Sequence, residues 1–171
     1  MAEEPERQLE KQDETERVKQ LISSLDGLPV DILNNISALV EIGESAVEPL
    51  LEALEDLRLR WGAIVALGDI GDARAVEHII PLLNDIVPLI KGAAAIALGK
   101  IGDSRAVDPL IQVLKNEKGV VIRQFAVQAL GEIKDKRAVK PLINVLKDKE
   151  FSRTDFSRKA VKKALDNIKH K

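Results

Sequence analysis

The chain has 171 residues, 45% of them hydrophobic, which is enough for one domain of ordinary size with its own core and excludes a disordered chain. With no Cys it forms no disulfide, thiolate metal site or cysteine nucleophile, which fits a reducing compartment, so the cytoplasm is expected. The net charge of −2 hides an uneven distribution: residues 1–85 carry 19 Asp and Glu against 7 Lys and Arg, whereas residues 86–171 carry 9 against 19.

The start, MAEEPERQLEKQDETER, is acidic and has no apolar run. No later stretch approaches the ~20 apolar residues of a membrane span, so neither secretion nor membrane insertion is expected. Residues 1–15 show no apolar periodicity and are expected to be mobile. From residue 16 a stripe appears. Val18, Leu21, Ile22 and Leu25 recur at three- and four-residue steps, which predicts a capping helix over about 16–26. Four copies of one unit follow, over about 30–56, 57–85, 86–117 and 118–149, and the C-terminal helix is expected at about 154–169. Their common phrase reads ALVEIGESAVEPLLEAL from Ala38, ALGDIGDARAVEHIIPLL from Ala66, ALGKIGDSRAVDPLIQVL from Ala97 and ALGEIKDKRAVKPLINVL from Ala129; ALDNI from Ala164 is a truncated copy. The last three full copies are spaced 31 and then 32 residues apart, the period of a helix pair.

Each copy reads as helix, turn, helix. Ala94, Ala97, Leu98 and Ile101 share one helical face, and the small Gly99 and Ala residues let neighbouring helices approach closely, at roughly 8 Å. Gly102 suits the left-handed position that ends a helix, and Asp103 caps the next one; Gly71 with Asp72 repeats the pair, and Lys134 replaces the glycine before Asp135 at a cost of about 1 kcal/mol. Val107, Leu110, Ile111 and Leu114 form the second-helix stripe. Pro109, with Pro49 and Pro141 in the same position, belongs in the first turn of that helix after a short 3₁₀ turn. No single pair buries its stripe alone, so the copies must stack, and Phe156, Ala160, Val161, Ala164, Leu165 and Ile168 close the array.

The phrase ALGxIGDxRAVxPLIxxL, as it stands at residues 97–114, resembles the HEAT-like repeat of phycobilisome (PBS) lyase proteins, and the resemblance covers residues 16–169. It implies an all-α, right-handed α-solenoid of about ten helices, with first helices on the convex side and second helices on the concave side. It also implies a basic residue opening each first helix. Arg60, Lys91, Arg123 and Arg158 match that position, each expected within reach of Asp72, Asp103 or Asp135 of a neighbouring copy. Members of the family include bilin lyase subunits, di-iron hydroxylases, relatives that excise alkylated DNA bases, and scaffolds, so fold alone does not choose a function.

The residues argue against most catalytic readings. A di-iron centre needs a cluster of His and carboxylate ligands, and the chain has only His78 and His170, neither followed by Glu. No partnered Ser and base appears, and no glycine-rich loop carries the Lys-Ser/Thr that grips phosphate. No catalytic residue, cofactor or metal is expected; a lyase-like role would rest on the resemblance and would need a second, related subunit.

Binding is the favoured reading. The solvent-facing row of the second helices is Glu52, Pro81, Gln112 and Asn144, flanked by Glu48, Glu77 (beside His78), Asp108 and Lys140, and by Glu55, Asn84, Lys115 and Lys147. Both flanks run from acidic to basic. A boundary row of Ala53, Leu82, Val113 and Val145 adds apolar area. These residues predict a concave groove for a protein or peptide partner oriented by charge. The alternative is nucleic acid on the basic C-terminal half, where Phe125, Phe151 and Phe156 are the aromatics and Phe125 and Phe156 fall at core-like positions. Opposite charge at the two ends favours head-to-tail association, while polar capping helices oppose it, and a monomer is expected. Trp61, beside Arg60, falls near the convex surface.

Overall fold

The computed structural model describes residues 3–170, the side chains of residues 3–7, 9, 10 and 29 excepted, and every regular element among them is helical. The α-helices are α1 (Glu3–Ser23), α2 (Pro29–Ile42), α3 (Val47–Ala53), α4 (Arg60–Ile70), α5 (Val76–Ile79), α6 (Pro88–Ile101), α7 (Val107–Asn116), α8 (Val120–Ile133), α9 (Val139–Val145) and α10 (Asp155–Lys169). They fall into two compact units, Met1–Ile70 and Gly71–Lys171.

In the first unit α1 extends well ahead of its apolar stripe. Residues 11–17 are exposed, and burial begins at Val18, continuing through Ile22 and Leu25. Met1 and Ala2, the start of the acidic segment, lie outside the described residues. A Cβ on Gly62 would stand 3.0 Å from the Leu25 Cβ, so the missing side chain lets α4 close on the end of α1. Arg58 ties the same corner by pairing with Asp56 and Asp26 at 2.9 and 3.3 Å.

The second unit has two layers. The first helices α6, α8 and α10 pack side by side, and α7 and α9 pack in a second row beneath them. Small residues set the spacing of the first layer: a Cβ on Gly99 would stand 2.7 Å from the Ala129 Cα, and one on Gly131 would stand 2.7 Å from the Ala164 Cα. Leu98, Leu110, Ala126, Leu130 and Leu142 fill the space between layers and are fully buried.

The turns form as their sequence requires. Gly102 adopts φ +75° and its N–H reaches the Leu98 carbonyl, after which the Asp103 carboxylate accepts the Arg105 N–H at 2.8 Å and opens a 3₁₀ turn over Ser104–Ala106. Lys134 takes the same left-handed conformation at φ 59°, ψ 37°, where its Cβ costs about 1 kcal/mol. Pro109 and Pro141 are the third residues of α7 and α9, where their lack of an N–H breaks no helical bond. Pro81 is different. It is the sixth residue of the second helix of its copy and has no N–H to give the Glu77 carbonyl. The α-helix therefore stops at Ile79, and a 3₁₀ helix, Ile80–Asn84, completes the element.

One core assignment changes. Phe156 continues the α10 stripe in sequence, but its side chain is 69% exposed, while Phe151 is fully buried and Phe125 is half-buried. Phe156 is the second residue of its helix. Leu89 and Val121, the second residues of α6 and α8, are likewise 62% and 59% exposed, whereas Ser157, the next residue of α10, is fully buried against Gln124 of α8.

Candidate functional site

The second-helix row of the Gly71–Lys171 unit is held in register by a ladder of arginines. Arg105 follows its capping Asp103 in the turn, bonds that carboxylate through Nε and Nη2 at 3.0 and 2.8 Å, and reaches back to the preceding copy. There Nη2 donates to the Ala73 carbonyl at 2.8 Å and Nη1 to Glu77 at 3.3 Å. Arg137 repeats the arrangement with Asp135, the Ser104 carbonyl at 2.9 Å and Asp108 at 2.8 Å. The Arg105 side chain, with its backbone N–H, holds the Asp103 carboxyl below the usual range. Arg74 does the same to Asp72.

This corrects the expected ladder. The basic residues that open the first helices pair elsewhere: Lys91 with Glu117 at 2.7 Å, Arg123 with Asp148 at 2.6 Å, and Arg158 with Asp155. Arg60 donates to the Leu54 carbonyl. Helices α6 and α8 open beside the end of their own hairpins, so their fourth residues, Lys91 and Arg123, meet the chain leaving the second helix rather than the turn of a neighbouring copy. The Lys91 ammonium and the Gly119 N–H lower the Glu117 pKa, and the Arg123 guanidinium and the Phe151 N–H lower that of Asp148.

Both pairs lie in cavities on the second-helix row. A cavity of about 280 Å³ between the Ile80–Asn84 turn and α7 is lined by Ile80, Leu83, Asn84, Lys91, Pro109, Gln112, Val113, Asn116 and Glu117. Its counterpart between α7 and α9, about 370 Å³, is lined by Leu114, Lys115, Arg123, Lys140, Pro141, Asn144, Val145 and Asp148. Arg123 is only 4% exposed, its guanidinium carbon sits 5.2 Å from the centre of the Phe151 ring, and its Nε has no hydrogen-bond partner among the described residues. A third cavity, about 430 Å³, lies between α8 and α10 and is lined in part by Phe156, Lys159 and Lys163.

The residues expected to bind a partner distribute as follows. Gln112 and Val113 line the smaller cavity, and Lys115, Lys140 and Asn144 the larger. Glu77, His78 and Lys147 are exposed but line neither, and Leu82 is half-buried. Glu48, Glu52 and Glu55 are exposed in the Met1–Ile70 unit. Of the boundary row, Ala53, Val113 and Val145 are buried at 6–7% exposure, so they pack within the protein and offer a partner little area. Sequence reasoning missed Glu117 and Asp148. Their signal was a spacing, an acidic residue 26 or 25 positions after the basic residue of the first helix.

Among the described residues no three His, Asp or Glu side chains gather as metal ligands would, and no helix is long and apolar enough to cross a membrane.

The family model described as HEAT repeats matches residues 47–122 and 82–166. The chain belongs to the HEAT-repeat family. A model of the PBS lyase HEAT-like repeat matches residues 34–56 of this HEAT-repeat chain. No curated protein matches it. Among solved structures it is similar to a chain of the complex of CpcE and CpcF of phycocyanin lyase from Nostoc sp. PCC7120, with a TM-score of 0.77 and 23% identity over 86% of this chain and 96% of that one. An engineered protein matches with a TM-score of 0.58 and 19% identity over 94% and 92%. At these identities the likeness speaks for fold, an all-α solenoid of helical hairpins.

Proposed function

We propose that this HEAT-repeat chain is a non-catalytic scaffold that holds a protein or peptide partner on its second-helix face. The observation that carries the reading is the pair of cavities in register on that face, each holding an ion pair and each rimmed by side chains that the fold leaves exposed. Repeating cavities at one per helix pair suit an extended partner that places successive side chains in them. The Lys140→Glu/Lys147→Glu variant is expected to lose at least most of the partner that the wild-type chain captures from native lysate, identified by mass spectrometry. Capture equal to wild type would sink the reading.

The likeness to the phycocyanin lyase complex supports a related possibility, a lyase-like subunit that acts only with a second chain. The captured partner would then be a related repeat chain.

Nucleic acid is favoured by one observation: exposed Phe156 shares a cavity with Lys159 and Lys163, the combination of aromatic face and cations that stacks a base beside its phosphate. The scaffold reading expects no electrophoretic shift with single-stranded DNA or RNA at moderate salt, and a sequence-tolerant shift abolished by Phe156→Ala would establish the nucleic-acid reading in its place.

A further inference from the structure

The two cavities on the second-helix face are built alike except in charge. Leu83, Pro109, Gln112, Val113 and Lys91 of the smaller one correspond, at 31 or 32 residues, to Leu114, Pro141, Asn144, Val145 and Arg123 of the larger. In the smaller cavity the Lys91–Glu117 pair balances, and the polar rim is made of the amides Asn84, Gln112 and Asn116. In the larger, Lys115 stands where Asn84 stood. Lys140 has joined the lining, while its counterpart Asp108 is turned to Arg137. Asp148 already answers Arg123, so the two lysines are in excess, and neither has a hydrogen-bond or ion-pair partner among the described residues.

We propose that the cavity between α7 and α9 is a recognition pocket for a carboxylate side chain, an Asp or Glu of an acidic peptide. The assignment rests on the second-helix face being the partner surface. Two uncompensated cations on one concave rim attract an anion, and a low-dielectric wall beneath them strengthens that attraction. The rest of the lining selects the kind of anion. Leu114, Pro141 and the buried Val145 present apolar surface that suits the methylenes of a glutamate stem and offers nothing to a phosphate oxygen. Asn144 supplies an amide for the peptide backbone beside it. The neighbouring amide-rimmed cavity then takes an uncharged polar side chain of the same peptide, which makes the charge step between the two cavities a reader of peptide register.

The test is fluorescence anisotropy of the full chain with a fluorescein-labelled oligoglutamate and an oligoglutamine of the same length, at low salt. The oligoglutamate is expected to bind and the oligoglutamine not. Lys115→Met/Lys140→Met is expected to weaken binding about tenfold, the sum of two pairs at the strength of exposed ion pairs. Lys115→Asn, which gives this cavity the residue its counterpart carries, is expected to weaken it about threefold without touching the fold. Lys162→Met/Lys169→Met removes the same charge from exposed positions of α10 outside the cavity and is expected to leave binding unchanged. Equal loss in the two double variants, equal binding of both peptides, or displacement of oligoglutamate by a tighter-binding oligothymidylate would each overturn the proposal. If Lys140→Glu/Lys147→Glu abolishes partner capture while oligoglutamate fails to bind, the carboxylate assignment falls and the scaffold reading stands; if oligoglutamate binds in the cavity but capture is unaffected, the scaffold reading falls alone.

Discussion

Phe151→Ala is expected to lower the unfolding free energy by about 3–5 kcal/mol, read from urea denaturation followed by circular dichroism. Phe151 opens a 3₁₀ turn, Phe151–Arg153, that is placed by Asp148: one carboxylate oxygen accepts the Glu150 and Phe151 N–H groups at 2.9 and 3.2 Å. The other oxygen holds Arg123. That geometry delivers a fully buried ring to one face of a guanidinium that is itself almost entirely out of water. Truncation to Ala therefore removes more than apolar burial. It empties a space beside a cation whose Nε has no hydrogen-bond partner among the described residues, and the lost ring was part of what offset the desolvation of that charge. Phe156→Ala is the control. Its side chain is 69% exposed, and its loss should change stability by no more than about 0.5 kcal/mol. Similar costs for the two would mean that the burial of Phe151 is not as described.

The contrast between these two phenylalanines also marks how far the sequence could be read. Phe156, Ala160 and Ala164 recur at four-residue steps, so periodicity places Phe156 on the buried face. What periodicity does not contain is which side of a first turn the neighbouring helix covers: Phe156 is exposed, while Ser157 next to it is fully buried and accepts a hydrogen bond from Gln124 of α8. The turns were legible because their chemistry is local. A left-handed residue followed by a capping Asp needs no knowledge of the rest of the chain, and Gly102–Asp103 and Lys134–Asp135 behave accordingly. The ion pairs were not. The first-helix cations were expected at the turn carboxylates, but the Arg of each RAV turn takes them instead, because which meets which depends on how one hairpin sits on the next. Arg105 and Arg137 reach the preceding copy, whereas Lys91 and Arg123 stay within their own. For the same reason the rim of the candidate pocket, Lys115, Lys140 and Asn144, followed from the exposed row, while its Arg123–Asp148 pair came only with the coordinates. Pro81 was readable in principle: its sixth place in the helix, rather than the third held by Pro109, is enough to end an α-helix.

Gly131→Ala is expected to destabilise the protein by about 1–3 kcal/mol, against the sign that helix propensity gives. In an exposed helix interior the same change gains up to about 1 kcal/mol, because Gly surrenders more backbone freedom on folding. At position 131 the new Cβ would stand 2.7 Å from the Cα and 2.8 Å from the Cβ of Ala164, and a backbone atom on a packed helix does not swing aside as a side-chain tip does. Helix α10 must move from α8, and the Gln124–Ser157 hydrogen bond of 2.7 Å near the other end of that contact must lengthen or tilt with it. Gly99→Ala meets Ala129 in the same way, at 2.7 and 3.0 Å, and shares the sign. Gly92→Ala should not. Its nearest obstacle is the edge of the half-buried Phe125 ring at 3.1 Å, which is free to turn, so the propensity gain offsets most of the crowding. Urea denaturation of the three variants distinguishes backbone contact from side-chain contact by sign alone. A stabilising Gly131→Ala would mean that α8 and α10 stand farther apart than the roughly 8 Å of closely packed helices. The small residues that recur in the ALG phrase would then be there for helix formation and not for the approach of successive hairpins.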